Sequence, residues 1–176
     1  MIEFKQGDIF DTKCDTIVCT VNCMGVMGKG IALACKSLYP RMFRDYQAAC
    51  NDKIKQGGDI WYWHNSNIYT MPLFIMDGSI SDESENMKKC RNILCFATKE
   101  DWKNNSKLEW IERGLQKFTE LVNMEYKMIP YYEAYHIHSI AFPKLGCENG
   151  GLDWNDVKPL MISYLNPLNI KCEIYE

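Results

Sequence analysis

The chain has 176 residues, 47% hydrophobic and 24% charged, with a net charge of −3. That length suits one domain with a sizeable core, and the acidic balance argues against a protein that grips many nucleic-acid phosphates non-specifically. The first residues lack the apolar core of a signal peptide, no run approaches a membrane span, and nine cysteines at scattered spacing without a C-x-x-C pair fit reduced thiols in a cytoplasm better than a disulfide framework or a zinc site.

Residues 2–5 read as a short first strand, followed by a turn at Gly7-Asp8. Thr16 to Val21 is an apolar, β-rich run that predicts a buried strand. It leads through Asn22-Cys23-Met24-Gly25-Val26-Met27-Gly28-Lys29-Gly30-Ile31-Ala32 into a helical pattern from Lys29 to about Ser37, which Pro40 stops. Strand, glycine loop and helix together point backbone N–H groups at an anion, phosphate first. The loop is not a Walker motif, because Gly30 follows Lys29 where Ser or Thr is needed. Nor is it a dinucleotide fingerprint, because Leu33 takes the place of the third small residue. Arg41 to Cys50 predicts a second helix with Met42, Tyr46 and Ala49 on one side; Gly57-Gly58 ends that unit, and Ile60 to His64 reads as a strand.

Asn65 to Met76 reads as a strand pair or an irregular excursion, and Gly78 to Asn86 as a surface loop. Asn92 to Thr98 is a buried strand ending at Lys99. Ser106 to about Asn123 carries the strongest helical pattern, opened by a capping box, Ser106-Lys107-Leu108-Glu109. Its apolar stripe is Leu108, Ile111, Leu115, Phe118 and Val122. After an aromatic-rich connection over 124–136, His138 to Phe142 forms a strand entering a second glycine loop, Gly146-Cys147-Glu148-Asn149-Gly150-Gly151. A helix from Leu152 to about Tyr164 and a strand, Lys171 to Tyr175, follow. Alternating strands and helices predict a single domain over 1–176, a three-layer α/β/α sandwich with a mixed, mostly parallel central sheet. In such sheets ligands bind at the carboxyl ends of strands, where the first glycine loop, Thr98-Lys99 and the second glycine loop leading to Asp153 all fall.

Each of these residues also has a plain reading. Lys99 is a lysine leaving a strand, Asp153 an N-cap or first-turn acid, Asp8 a turn residue and Lys29 a solvated charge. Cys19, Cys35 and Cys95 sit among apolar neighbours as small core residues. Trp61, Trp63 and Trp110 read as core or sheet-face residues, while Trp102 is placed to flank a substrate. His136 and His138 alternate along a strand, but no cysteine or acid at ligand spacing accompanies them, so no metal or other cofactor is expected.

Several ordered motifs together resemble a macrodomain, the ADP-ribose-binding fold. They are Gly7-Asp8-Ile9, Val21-Asn22, Gly28-Lys29-Gly30-Ile31-Ala32, Phe142-Pro143-Lys144-Leu145-Gly146 and Asn149-Gly150-Gly151-Leu152-Asp153-Trp154. Within that family the chain is most similar to the DarG-type branch and its relative, the terminal ADP-ribose protein glycohydrolase. The shared signs are Asn22 to Gly30, Thr98-Lys99-x-x-Trp102, Ser106 to Glu112 and Gly150 to Trp154. The resemblance covers nearly the whole chain. It implies that Asp8 accepts a hydrogen bond from the adenine amino group, with the Ile9 backbone N–H nearby, and that Asn22 lies near the distal ribose. It implies that Gly28, Lys29, Gly30 and Ile31 on one side clamp the diphosphate against Gly146, Cys147, Glu148, Asn149, Gly150 and Gly151 on the other, with Thr98 beside them. Lys99 would be the catalytic amine, attacking the anomeric carbon of the distal ribose, and Asp153 its acidic partner.

The resemblance therefore implies an ADP-ribosyl hydrolase acting on a modified target, most simply thymidine in DNA, that reverses the work of a DarT-type ADP-ribosyltransferase. Alternatives are an ADP-ribose-phosphate phosphatase and a non-catalytic ADP-ribose-binding module; an amine at Lys99 favours the hydrolase over the binder. The stretch 64–91 is longer than the corresponding connection in DarG-type domains, which bears on substrate access. The match does not extend to the C-terminal domain with which full-length DarG holds its toxin, so reversal of the modification, not direct toxin binding, is the expectation.

Overall fold

Apolar runs that a strand can bury on both faces lie at the centre of the sheet. The computed structural model describes residues 1–65, 92–128 and 137–176. Its strands are β1 (Ile2–Lys5), β2 (Thr16–Val21), β3 (Ile60–Trp63), β4 (Asn92–Ala97), β5 (Ser139–Pro143) and β6 (Lys171–Tyr175). They form one sheet in the order β1-β6-β5-β2-β4-β3. Every neighbouring pair is parallel except β3 with β4. Thr16 pairs with Asn92 and Val21 with Ala97, so β2 and β4 end level with one another. Because β3 runs the other way, with Trp63 opposite Ile93, the chain leaves β3 and enters β4 at the amino-terminal edge of the parallel strands. The stretch expected to bear on substrate access thus joins the fold at the edge away from the strands' carboxyl ends.

The helices are α1 (Gly30–Leu38), α2 (Pro40–Asp52), α3 (Leu108–Met128) and α4 (Trp154–Leu165). Alternation along β2 and β4 divides the core into two layers. Ile17, Cys19, Val21, Ile93, Cys95 and Ala97 face Cys35 of α1 and Met42, Tyr46 and Ala49 of α2. Val18, Leu94 and Phe96 face Ile111, Leu115, Phe118 and Val122 of α3 and Val157, Met161 and Leu165 of α4. The expected three-layer α/β/α sandwich is therefore present. Gly114, inside α3, shows how closely that helix sits on the sheet: a Cβ there would stand 2.1 Å from Phe96 Cζ. The close approach explains a residue that costs a helix interior about 1 kcal/mol relative to alanine.

Two local expectations fail, and both failures arise where α3 begins. The capping box does not form. Trp110 N and Ile111 N both point to Lys107 O, at 3.0 and 3.4 Å, so the helix opens one residue later than the motif implies. The Ser106 hydroxyl is buried and, among the described residues, has no hydrogen-bond partner. Ser106 N instead donates to Gly150 O at 2.9 Å, and a Cβ on Gly150 would lie 2.5 Å from Ser106 Oγ. Ser106 packs the second glycine loop onto the start of α3. Leu108, expected in the apolar stripe, is 39% exposed. At its other end α3 runs to Met128, past the expected stop at Asn123. The strand pair or excursion over 65–76, the loop over 78–86 and His136 fall, apart from Asn65, outside the described residues. Among the described residues no helix is long and apolar enough to cross a membrane.

Candidate functional site

At the carboxyl edge of β2, β4 and β5 lies a cavity of about 940 Å³. One wall is the first glycine loop with the start of α1, and the facing wall is the second glycine loop. Lys99 stands at one end of the cleft, in the connection after β4. Lined up along it are Asp8, Ile9, Asn22, Gly28, Lys29, Gly30, Ile31, Thr98 and Lys99, and then Gly146 through Gly150. Gly151 and Asp153 do not line it.

The first wall is suited to an anion because α1 begins there without a side-chain cap. Lys29 is its N-cap residue and offers no acceptor; the first helical bond is Leu33 N to Lys29 O, 3.2 Å. The N–H groups of Gly30, Ile31 and Ala32 precede that bond, and the three residues line the cavity, where the positive end of the helix dipole adds to them. Gly28 has no heavy atom within 4 Å of where a Cβ would be, and its φ lies outside the left-handed region. No neighbouring atom of the described residues requires a glycine there, and the position opens onto the cleft.

Asn22 holds this loop in shape. Its Oδ1 accepts from Met24 N at 2.9 Å and Val26 N at 3.3 Å, and its Nδ2 donates to Val26 O at 2.6 Å. Tyr46 Oη donates to Asn22 O at 2.7 Å. The residue lines the cleft, and its amide also shapes the loop. Asp8 is similarly engaged: it caps a short 3-10 turn, Ile9–Asp11, by accepting from Phe10 N at 2.9 Å.

The second wall is pinned from behind and strained at its tip. It rests on Asn105 and Ser106, where a Cβ on Gly151 (φ +76°) would stand 3.3 Å from Asn105 Cγ, and Gly151 does not line the cleft. Glu148 has φ +46°, the one non-glycine residue with positive φ among the described residues. That conformation costs roughly 1–2 kcal/mol and is the sort of strain that gathers at functional sites. Asn149 joins the walls. A Cβ on Gly30 would be 3.2 Å from Asn149 Nδ2, and Asn149 O accepts from Lys99 Nζ at 2.5 Å.

Lys99 is fixed by its backbone. Thr98 N and Lys99 N donate to Val21 O at 3.1 and 3.4 Å, and Cys23 N to Glu100 O at 3.0 Å. Its Nζ also approaches Trp102 O at 3.5 Å. Partial burial, and secondarily the charge of Lys29, hold its pKa below the ordinary lysine value, which enlarges the neutral, nucleophilic fraction. The nearby thiols are poor competitors. Burial pushes Cys23 up to about 12 and raises Cys147 as well, so neither is a thiolate at neutral pH. Asp153 is exposed and is the N-cap of α4, its Oδ1 accepting from Asn155 N at 2.8 Å and Asn155 Nδ2 at 3.0 Å.

Other lining residues were not singled out from the sequence as binding groups: Phe10, Asn105, Lys144, Tyr175 and Glu176. Tyr175 and Glu176 had a readable signal, being the carboxyl end of a parallel strand. Among the described residues no cluster of His, Cys, Asp and Glu is arranged to hold a metal.

Comparison with known proteins brings these features together. The Macro domain family profile matches residues 18–161. A DNA ADP-ribosyl glycohydrolase of Mycobacterium tuberculosis is 35% identical over 96% of this chain and 40% of its own length. The macrodomain of Thermus aquaticus DarG superposes with a TM-score of 0.76 at 29% identity, covering 100% of this chain and 98% of that one. Thermosipho africanus DarTG in complex with ADP-ribose gives 0.74 at 31% identity, over 98% of this chain and 41% of that one. The chain spans about two-fifths of the length of the curated relatives it matches.

Proposed function

The chain belongs to the macrodomain family, and on that premise we propose that it is an ADP-ribosyl hydrolase that removes ADP-ribose from thymidine in DNA through Lys99. The observation that carries the reading is the Lys99 amine, its pKa lowered, standing where the two glycine loops meet. The relatives named for DNA ADP-ribosyl glycohydrolase activity support the substrate, and the DarTG relative supports a DarT-type transferase as the source of the modification.

The chemistry follows from the placement. The N–H groups at the start of α1 take the diphosphate and fix the distal ribose against Lys99. The neutral amine attacks the anomeric carbon while the bond to the base nitrogen breaks, and the base leaves with the electron pair and takes up a proton. Water then hydrolyses the amine–sugar adduct, releasing ADP-ribose and restoring the lysine. Asp153, already engaged as the cap of α4, is assigned the positioning of the second loop's far end.

The test is incubation of the protein with single-stranded DNA ADP-ribosylated on thymidine. Cleavage is expected, with Lys99→Ala losing at least about 10²-fold in rate while still binding ADP-ribose. Unchanged turnover in the variant removes Lys99 from the mechanism. ADP-ribose binding without cleavage of any substrate makes the protein a binder, and phosphate release from ADP-ribose-phosphate alone makes it a phosphatase.

A further inference from the structure

Among the described residues Trp102 is the one exposed tryptophan, 52% accessible; Trp61, Trp63, Trp110 and Trp154 are buried or half-buried. It stands on the cleft rim, with its carbonyl 3.5 Å from Lys99 Nζ. The indole is presented on a rigid turn: Asp101 Oδ1 accepts from Lys103 N at 2.9 Å, and Asn104 N donates to Asp101 O at 3.1 Å. Lys103 Nζ lies 5.4 Å from the indole centroid, and both residues line the cleft. The two acids just before Trp102 are turned to backbone, Asp101 as described and Glu100 to Gly57 N at 3.3 Å. A flat aromatic face beside an ammonium group matches a nucleobase with its neighbouring phosphate.

We propose that Trp102 and Lys103 form a docking surface for a single nucleic-acid strand, with Trp102 stacking on the base from which Lys99 detaches ADP-ribose. This rests on the hydrolase reading above. Strand contact is confined to the mouth of the cleft, in keeping with a net charge of −3. Trp102 is exposed, so its replacement leaves the core untouched.

The test compares wild type, Trp102→Ala, Trp102→Phe and Lys103→Ala, each checked by thermal melting. On an ADP-ribosylated thymidine oligonucleotide, Trp102→Ala is expected to raise KM by about 5- to 150-fold, the span of one base–aromatic stack. Its affinity for free ADP-ribose should stay unchanged, and Trp102→Phe should recover most of the loss. Lys103→Ala should weaken the salt dependence of KM. An unchanged KM in Trp102→Ala, or an equal loss of free ADP-ribose affinity, overturns the proposal. If wild type cleaves no modified strand, the hydrolase reading fails, and binding of a fluorescent oligothymidylate decides the surface: a loss in Trp102→Ala upholds it, and equal binding overturns it.

Discussion

Two neighbouring glycines in the first loop should separate ligand binding from folding. At Gly28 a side chain meets nothing within 4 Å and φ is ordinary, whereas Gly30 has φ +54° and a prospective Cβ contact of 3.2 Å to Asn149 Nδ2. Gly28→Val should therefore fold with stability within about 0.5 kcal/mol of wild type. Its isopropyl group would stand where a phosphate must reach the α1 N–H groups. Losing one charge-assisted hydrogen bond costs about 1.5–3 kcal/mol, which is a fall in ADP-ribose affinity of roughly 10- to 150-fold. Gly30→Ala bears the left-handed penalty of roughly 1–2 kcal/mol, which for a chain of this size lowers Tm by about 2–8 °C. Thermal melting and titration calorimetry with ADP-ribose read the two quantities separately. A Gly28→Val variant that binds ADP-ribose as tightly as wild type, with unchanged Tm, would refute the placement of the diphosphate on this loop.

Two further outcomes follow from the site. Burial and Lys29 both disfavour the ammonium form of Lys99, so Lys29→Gln should raise the Lys99 pKa and shift the acidic limb of the kcat/KM–pH profile to higher pH; a limb that does not move shows that Lys29 has no hold on the amine. Asp153→Asn keeps an N-cap and should retain both stability and activity, whereas Asp153→Ala should lose about 0.5–2 kcal/mol in chemical denaturation; an inactive, fully stable Asp153→Asn would return the carboxylate to the reaction itself.

The sheet was largely legible because its central strands are simple. Thr16 to Val21 and Asn92 to Ala97 are mostly apolar, β-rich runs, buried on both faces between helix layers, and such runs declare themselves without tertiary information. The helix stripes were legible for the same reason, Leu108 excepted. What escaped were side chains with two possible uses. Ser106 followed by Glu109 has the letters of a capping box, but Gly150 folds over the serine and claims its backbone N–H. Asn22 shapes its own loop through Met24 and Val26 while lining the cleft. For Ser106 a partner distant in sequence decides, and a local pattern does not contain it. The cleft residues Lys144 and Asn105 were missed because neither is unusual until the strands bring them to one edge.

The antiparallel pairing of β3 with β4 has a consequence for how this molecule can change. Trp63 and Ile93 already face one another across the pair, so an ordinary hairpin turn would suffice to complete it. Chain length added between them starts and ends at the pole opposite Lys99, and the pairing of β2 with β4 does not depend on it. Strand β5, parallel to β2, also begins at that pole. The level carboxyl ends of β2 and β4 that carry the cleft are thus set by pairings independent of how long that insertion is.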